Sequence, residues 1–356
     1  MALSRVEIRN LRVIREAVLE PVEGVNLVIG RNGAGKTSLL EAIYLLGRGR
    51  SFRASTVSPV VREGEECVEV VGTARQPRRI VAGIRRCTKR TDIRINGETV
   101  HRMSELARLF PVQIISPRSH ELLERGPEYR RRFLDWGLFH VEPQYLSLLS
   151  RYQRTLRQRN EALKNPRHSF GDEWDEQLAS HGEPIQTMRA SYVRSLHRAT
   201  MSVLEALGRD LEISFTLYQG WPAGSSLREC LKARREADRG QQHTTAGPHR
   251  CDLRVKVGDQ HAERRLSRGQ QKILVFAMIV AQLRLVAKDR QDQPILLVDD
   301  LPAELDEASR AAVLQYLEDV GAQVFVTSLD EGVAKNCAEP AMFHVEHGHL
   351  TRADTF

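Results

Sequence analysis

The sequence predicts an α/β head with a mixed sheet, interrupted by an inserted helical arm. Three observations carry this. A phosphate-cradling segment near the start lies between a strand and a helix, and the middle of the chain changes to a coiled-coil period. Near the end, a buried-strand run closes on two carboxylates.

Gly30-Arg31-Asn32-Gly33-Ala34-Gly35-Lys36-Thr37 fills every position of the pattern G-x-x-x-x-G-K-[ST]. Upstream, Val25 to Ile29 is a short apolar run of buried-strand type. Downstream, Leu39, Leu40, Ile43 and Leu46 fall at helical spacing. That strand, loop and helix are the context the pattern requires. Glycines let backbone N–H groups turn inward on phosphate oxygens, and the helix adds its positive N-terminal end. Lys36 is expected to reach the β- and γ-phosphates, and the Thr37 hydroxyl to hold Mg²⁺. Gly30, Arg31, Asn32, Gly33, Ala34, Gly35, Lys36, Thr37 and Ser38 are thus the candidate nucleotide contacts, with ATP and Mg²⁺ as ligands. The plainer reading is a Gly-rich turn capping a core helix; by average residue frequencies the bare pattern arises in roughly one chain in a hundred of this length, and the correct flanks lower that further.

Length and composition bound the answer. A chain of 356 residues corresponds to about two domains. A hydrophobic share of 41% with 28% charged residues excludes a disordered chain. No run of roughly 18 apolar residues occurs, and Met1 to Asn10 carries no signal-peptide core, so a cytoplasmic protein is expected. Five cysteines are scattered without a C-x-x-C pair, which suggests neither zinc nor a disulfide framework and reads as reduced packing residues. The net charge of +7 favours a polyanionic partner.

Taken in order, Val6, Ile8, Leu11 and Val13 alternate as strands do, and Val68 with Val70 and Ile80 with Ile84 repeat the alternation. Ile93 to Ile95 meets Thr99-Val100 across Asn96-Gly97, a dipeptide suited to a turn with two positive φ angles. The first third therefore reads as one mixed sheet built around the P-loop. From Tyr145 the period changes. Leu149, Tyr152, Leu156 and Leu163 follow at alternating spacings of four and three, with Arg159 in one core slot. After a break at Lys164 to Gly171, Trp174, Leu178, Ile185, Met188, Tyr192 and Ala199 repeat the seam, so two antiparallel helices are expected. Arg130, Arg131 and Arg132 at the base, with Arg151, Arg154 and Arg157 along one helix, are candidate DNA-phosphate contacts; the competing reading of any one is a solvated helix face. The head is expected over 1–117 and 240–356 and the arm over 118–239.

The last third carries two further motifs. Leu266-Ser267-Arg268-Gly269-Gln270-Gln271-Lys272 opens an apolar-periodic helix, and Ser267 with Gln270 has the spacing of a capping box. Ile295 to Val298 is a buried parallel-strand run ending in Asp299-Asp300, where a P-loop protein needs its second metal ligand. Asp299 is expected to hold Mg²⁺, and Asp300 to polarise the attacking water; with Lys36 they form the catalytic set. Leu305-Asp306 follows, and Gln323 to Ser328 gives another buried strand with hydroxyls at its end.

The order of P-loop, helical insertion, L-S-x-G-Q, carboxylate strand and E-L-D resembles the ATP-binding-cassette (ABC) ATPases, and within them the chromosome-maintenance and repair branch. The residues carrying the match are Ile8 to Arg12, the P-loop, Gly49 to Arg53, Arg130 to Asp135, Gly247 to Arg250, Leu266 to Lys272 and Leu297 to Asp306. Four positions bear on it. Ser116 to His120 replaces an acidic S-P-E-D-L, and Ala303 replaces a serine. Asp300 stands where transporter relatives carry Glu, and no histidine ends the strand at Thr327-Ser328. Gln113 is read as a strand residue rather than a metal sensor.

The resemblance implies a composite site: Ser267, Gly269 and Gln270 of one protomer close over the ATP held by the P-loop of another, so ATP drives homodimerisation. It also implies a weak, Mg²⁺-dependent and DNA-dependent ATPase serving DNA repair, replication restart and the SOS response to damage. The implied partners are DNA, double-stranded or at single/double-strand junctions, RecR with RecO, and indirectly RecA. Two rivals compete: an ABC transporter ATPase subunit, and a DNA-binding or structural protein for which the nucleotide is only a ligand.

Overall fold

The structure, a computed structural model, describes residues 2–75, 79–164, 172–289, 293–300, 307–337 and 339–353. Ala303 to Asp306 and the helical break at Asn165 to Gly171 lie outside them. The chain opens with strands β1 (Leu3–Leu11), β2 (Ile14–Leu19) and β3 (Val25–Ile29), then helix α1 (Lys36–Arg48). Strands β4 (Cys67–Ala74), β5 (Ile80–Cys87), β6 (Thr91–Ile95) and β7 (Glu98–Val100), helix α2 (Met103–Leu109) and strand β8 (Val112–Ile115) follow. Next come α3 (Glu121–Glu124), α4 (Pro127–Val141), α5 (Tyr145–Lys164), α6 (Asp172–Ala206), β9 (Ile213–Tyr218), α7 (Leu227–Ala233) and α8 (Arg235–Gln241). The chain continues through β10 (Asp252–Val257), β11 (Gln260–His261), α9 (Ala262–Arg265), α10 (Arg268–Asp289) and β12 (Ile295–Val298). It ends with α11 (Glu307–Glu318), β13 (Gln323–Ser328), β14 (Ala341–Glu346) and β15 (His349–Ala353).

The chain forms two compact units, one of residues 1–119, 205–209 and 279–356, the other of 120–204 and 210–278. The forward boundary lies close to the expected 117. The return was expected at 240 and falls at 278–279 instead. The physical reason is a separate sheet: β10 pairs antiparallel with β9 on one side and β11 on the other and packs on α4, so this stretch stays with the arm.

In the first unit the expected single sheet is two. Strands β2-β1-β4-β5-β6-β7 form an antiparallel sheet; β15-β14-β3-β13-β12-β8 form another, parallel except for the edge strand β15. Helix α1 explains the split. Its residues Ser38 to Gly47 are all buried, and it packs on strands of both sheets. A helix apolar on every side needs cover on every side. The Asn96-Gly97 turn joins β6 to β7 with φ of 50° and 87°, as the dipeptide requires.

The cysteine expectation is corrected here. Cys67 and Cys87 face each other across the β4–β5 ladder and are disulfide-bonded, while Cys230, Cys251 and Cys337 are free. Sequence spacing cannot show a cross-strand pair of this kind, because register decides it.

In the second unit α5 and α6 run antiparallel as expected: Tyr145 meets Arg189, Thr155 meets His181, and Arg159 meets Asp175. Tyr145, Tyr152, Leu163, Leu178, Ile185 and Tyr192 are buried along the seam, with Leu149, Leu156, Trp174, Met188 and Ala199 half-buried. Arg159 is fully buried and satisfied by charge: it donates to Asp175 at 3.0 Å, to Asp238 at 2.8 Å and to Thr244 at 2.8 Å. A second buried guanidinium, Arg189, donates to Asp135 at 2.6 Å, Tyr145 at 3.0 Å and the Pro248 carbonyl at 2.7 Å. Beside it, His249 donates from Nε2 to the Thr244 carbonyl at 3.0 Å, so its Nδ1 accepts from the Tyr152 hydroxyl at 2.6 Å. Burial pushes this imidazole down to about 4, which keeps it neutral at physiological pH.

Helix α10 has the length and apolarity of a membrane span, yet most of it is buried in the protein, including Leu274, Ala277, Val280 and Leu283 at zero exposure. It is a core helix.

Asp238→Ala strands the Arg159 charge in the arm core and is expected to destabilise this unit by about 3–5 kcal/mol. Exposed Arg157→Ala is expected to stay within roughly 0.5 kcal/mol; urea unfolding followed by circular dichroism distinguishes the two. In protein purified without reductant, alkylation after denaturation should label three of the five cysteines, and all five once reduced.

Candidate nucleotide-binding site

The C-terminal ends of three neighbouring parallel strands build the site. In the order β3-β13-β12, β3 leads into the P-loop, β12 ends at Asp299-Asp300, and β13 ends between them at Thr327-Ser328. Ligands of open parallel sheets gather at such ends. The loop needs glycine at two turns in particular: Gly33 has φ 79° and Gly35, the N-cap of α1, has φ 118°. The β14–β15 turn supports the loop from behind, through Gly348 N–H donating to the Ala34 carbonyl at 2.8 Å.

A cavity of about 510 Å³ opens at these strand ends. It is lined by P-loop residues including Arg31, Asn32, Gly33, Gly35, Lys36, Thr37 and Ser38, and by Asp299, Asp300 and Thr327. Arg12 and Arg53 also line it. Lys36 Nζ donates to the loop carbonyls of Gly30 at 2.6 Å and Arg31 at 3.1 Å, which stretches its side chain back over the loop. Burial lowers the affinity of its ammonium for the proton, partly offset by Asp300 and Asp299. Thr37 Oγ1 donates to Asp299 Oδ1 at 2.9 Å, and Thr327 Oγ1 donates to the same oxygen at 3.0 Å. Burial raises the Asp299 carboxyl above the usual carboxylate range; the two hydroxyls and the Arg53 charge pull the other way.

The donor set fits Mg²⁺. One hydroxyl and one carboxylate within hydrogen-bond reach of each other are hard oxygen ligands, and among the described residues no group of three or more His, Cys, Asp or Glu side chains could cage a metal. A cation held by Thr37 and Asp299 would draw its remaining ligands from phosphate and water, as Mg²⁺ does.

Sequence reasoning assigned no role to Arg12 and Arg53, the two arginines that reach the cavity wall from outside the P-loop. Arg12 lies just past β1 with φ 50°, and its guanidinium grips Glu41 through both carboxylate oxygens. Glu41 is fully buried in α1 and also accepts from the Ser51 hydroxyl, which in turn accepts the Arg53 and Ala54 N–H groups at 2.9 and 2.8 Å. One carboxylate thereby ties two arginine-bearing segments to the P-loop helix. The available signal was Glu41 itself, an acid inside an otherwise apolar helix run, which cannot be buried without a cation or donors. Gln113 is a buried strand residue, as expected, and donates to Gln282.

The remaining site candidates lie in the second unit. Ser267 and Gln270 form the capping box at the start of α10: Gln270 N–H donates to Ser267 Oγ at 3.3 Å, and Ser267 N–H to Gln270 Oε1 at 3.0 Å. Ser267, Arg268, Gly269 and Gln270 are all exposed, and Arg268 pairs with Glu124. Among the arginines expected on DNA, Arg151, Arg154 and Arg157 are exposed. Arg132 is exposed but pairs with Glu128. Arg130 and Arg131 are redirected inward: Arg130 binds both oxygens of Asp252 at 2.7 and 3.1 Å, and Arg131 donates to the Cys251 carbonyl at 2.8 Å. Their role here is to pin α4 to β10.

The family model described as "RecF/RecN/SMC N terminal domain" matches residues 2–351. A DNA replication and repair protein RecF of Shewanella baltica (strain OS155) is 39% identical over 359 residues, covering 99% of each chain. The chain belongs to the RecF family. A RecF of Pseudomonas paraeruginosa (strain PA7) is 38% identical over 364 residues, covering 100% of this chain and 99% of that one. The structure of the recombination mediator protein RecF bound to ATP, solved in the context of the RecFOR pathway, superposes with a TM-score of 0.88 at 26% identity, covering 99% and 97% of the two chains. An Smc head bound to a ScpA winged-helix domain shares the fold, with a TM-score of 0.60 at 15% identity. The fold is that of an ABC-like ATPase, and RecF membership sets the transporter reading aside.

Glu41→Gln keeps the shape but removes the charge facing Arg12. It is expected to cost about 1–3 kcal/mol of stability and to weaken ATP binding, read by thermal unfolding and by titration with a fluorescent ATP analogue.

Proposed function

We propose that the protein is an ATP-dependent, DNA-binding recombination mediator whose ATP site is completed by a second copy of the chain. The observation that carries this is the division of the expected contacts. Lys36, Thr37, Asp299 and Asp300 gather around one cavity, while Ser267, Gly269 and Gln270 are exposed at the start of a long helix. An exposed helix N-terminus suits the γ-phosphate of a nucleotide held by a partner.

On this reading Lys36 leaves the Gly30 and Arg31 carbonyls for the β- and γ-phosphates. Thr37 and Asp299 hold Mg²⁺, which when bound neutralises developing phosphate charge. Asp300 orients and polarises the attacking water. ATP joins two protomers and hydrolysis separates them, so slow turnover times the residence of the dimer on DNA. Arg151, Arg154 and Arg157 supply phosphate contacts on the arm. The activity is a weak, DNA-stimulated ATPase in the cytoplasm. RecR with RecO are the partners, and assisted loading of RecA on gapped DNA is the outcome. Support comes from the RecF relatives, one of them solved with ATP as a mediator of the RecFOR pathway.

Light scattering of wild type should show a dimer with ATP, and Lys36→Met should remain monomeric. Equal dimerisation of the mutant removes the composite site. Single-turnover hydrolysis by Asp300→Asn should fall by about 10²-fold or more; an unchanged rate removes the catalytic role of Asp300. Replacing Arg151, Arg154 and Arg157 by Ala should lower the slope of log affinity for duplex DNA against log salt by about 0.9 for each phosphate no longer neutralised.

A further inference from the structure

We propose that Thr327 is a positioning residue that fixes both carboxylates of the ATP site through one hydroxyl; the proposal rests on the ATPase reading above. Thr327 is 1% exposed and sits at the end of β13, the strand between the P-loop strand and the carboxylate strand. Its register places it one residue beyond the Val298–Val326 pair, level with Asp299. The hydroxyl works in both directions. It donates to Asp299 Oδ1 at 3.0 Å and accepts the Asp300 N–H at 2.8 Å.

The second bond holds a backbone that needs holding. Asp300 has φ 58°, a left-handed conformation that is strained for a residue with a side chain. Such a conformation persists only where its surroundings determine it, and it decides where the Asp300 carboxylate points. The first bond orients Asp299, whose Oδ1 also takes the Thr37 hydroxyl at 2.9 Å. One side chain therefore couples the P-loop threonine, the candidate metal ligand and the water-polarising carboxylate. The strand carries no histidine at this end, so positioning falls to a hydroxyl that neither titrates nor swings on a long side chain.

The test compares Thr327→Val, which preserves volume and removes the hydroxyl, with Thr327→Ser, which keeps it. Both are assayed for single-turnover ATP hydrolysis and for binding of a fluorescent ATP analogue with and without Mg²⁺. The valine variant is expected to bind the analogue without Mg²⁺ as wild type does, to lose part of the gain in affinity that Mg²⁺ provides, and to hydrolyse about 10²-fold more slowly. Serine should restore most of the rate. Adding Thr327→Val to Asp300→Asn should cost less than it costs in the wild-type background, because one of the two contacts of the hydroxyl acts through Asp300 while the Asp299 contact remains to be lost; a merely structural role would lower the rate by the same factor in both backgrounds. If the valine variant does not fold, Thr327→Cys takes its place. Hydrolysis by Thr327→Val at the wild-type rate, with Asp300→Asn slow, overturns this proposal alone. Hydrolysis by Asp300→Asn at the wild-type rate removes the catalytic role of Asp300 and this proposal with it, and the absence of hydrolysis by wild type overturns the ATPase reading.

Discussion

The first unit is organised by the burial of a helix with no solvent face. Helix α1 follows directly on the P-loop, and its residues Ser38 to Gly47 are all out of water. A single sheet covers one side of a helix, so the chain supplies two: an antiparallel one from the first hundred residues and a mostly parallel one from both ends of the sequence. The one charge inside that helix, Glu41, then has to be satisfied within the core. Its satisfaction by Arg12 and Ser51 brings two otherwise irregular segments to the cavity wall. The position of the arginines there follows from the cost of leaving a carboxylate buried and alone.

The arm applies the same rule with the sign reversed. Arg159 and Arg189 are buried cations in a helical hairpin, each held by carboxylates drawn from other elements of the unit. Ion pairs of this kind contribute little net stability against an apolar alternative, but they penalise any shifted register, because a slipped helix strands a charge. A seam of Tyr and Leu alone would tolerate sliding. The pairing of Arg159 with Asp175 and of Arg189 with Tyr145 and Asp135 admits one alignment.

Much of this was legible in the sequence, where local spacing decides structure. The P-loop with its strand and helix, the carboxylate-ended strand, the Asn96-Gly97 hairpin and the antiparallel seam with Arg159 in a core slot all rest on short-range patterns. What escaped depends on pairings between distant strands. The division into two sheets, the Cys67–Cys87 bond and the assignment of 240–278 to the arm unit are register and packing facts, invisible to periodicity. The site divides in the same way. Lys36, Thr37 and Asp299 announce themselves by motif, whereas Thr327 looks like any strand-end threonine until β13 is placed between β3 and β12. Arg130 and Arg131 show the converse: a basic triplet reads as a nucleic-acid contact, and only the fold reveals that two of its members are also held by Asp252 and the Cys251 carbonyl.

The tie from Glu41 to Arg12 and Ser51 has a consequence for sequence drift in this lineage. A buried acid, its guanidinium partner and its hydroxyl partner are three separate codons on three separate segments. Loss of any one leaves the other two worse than neutral. Drift at these sites is therefore epistatic: the first change is deleterious on its own, and a tolerated path replaces acid and guanidinium together by apolar or neutral residues of matching volume. Such a path would preserve the packing around α1 while removing an arginine from the cavity wall, so fold and cavity lining can diverge at a single linked pair.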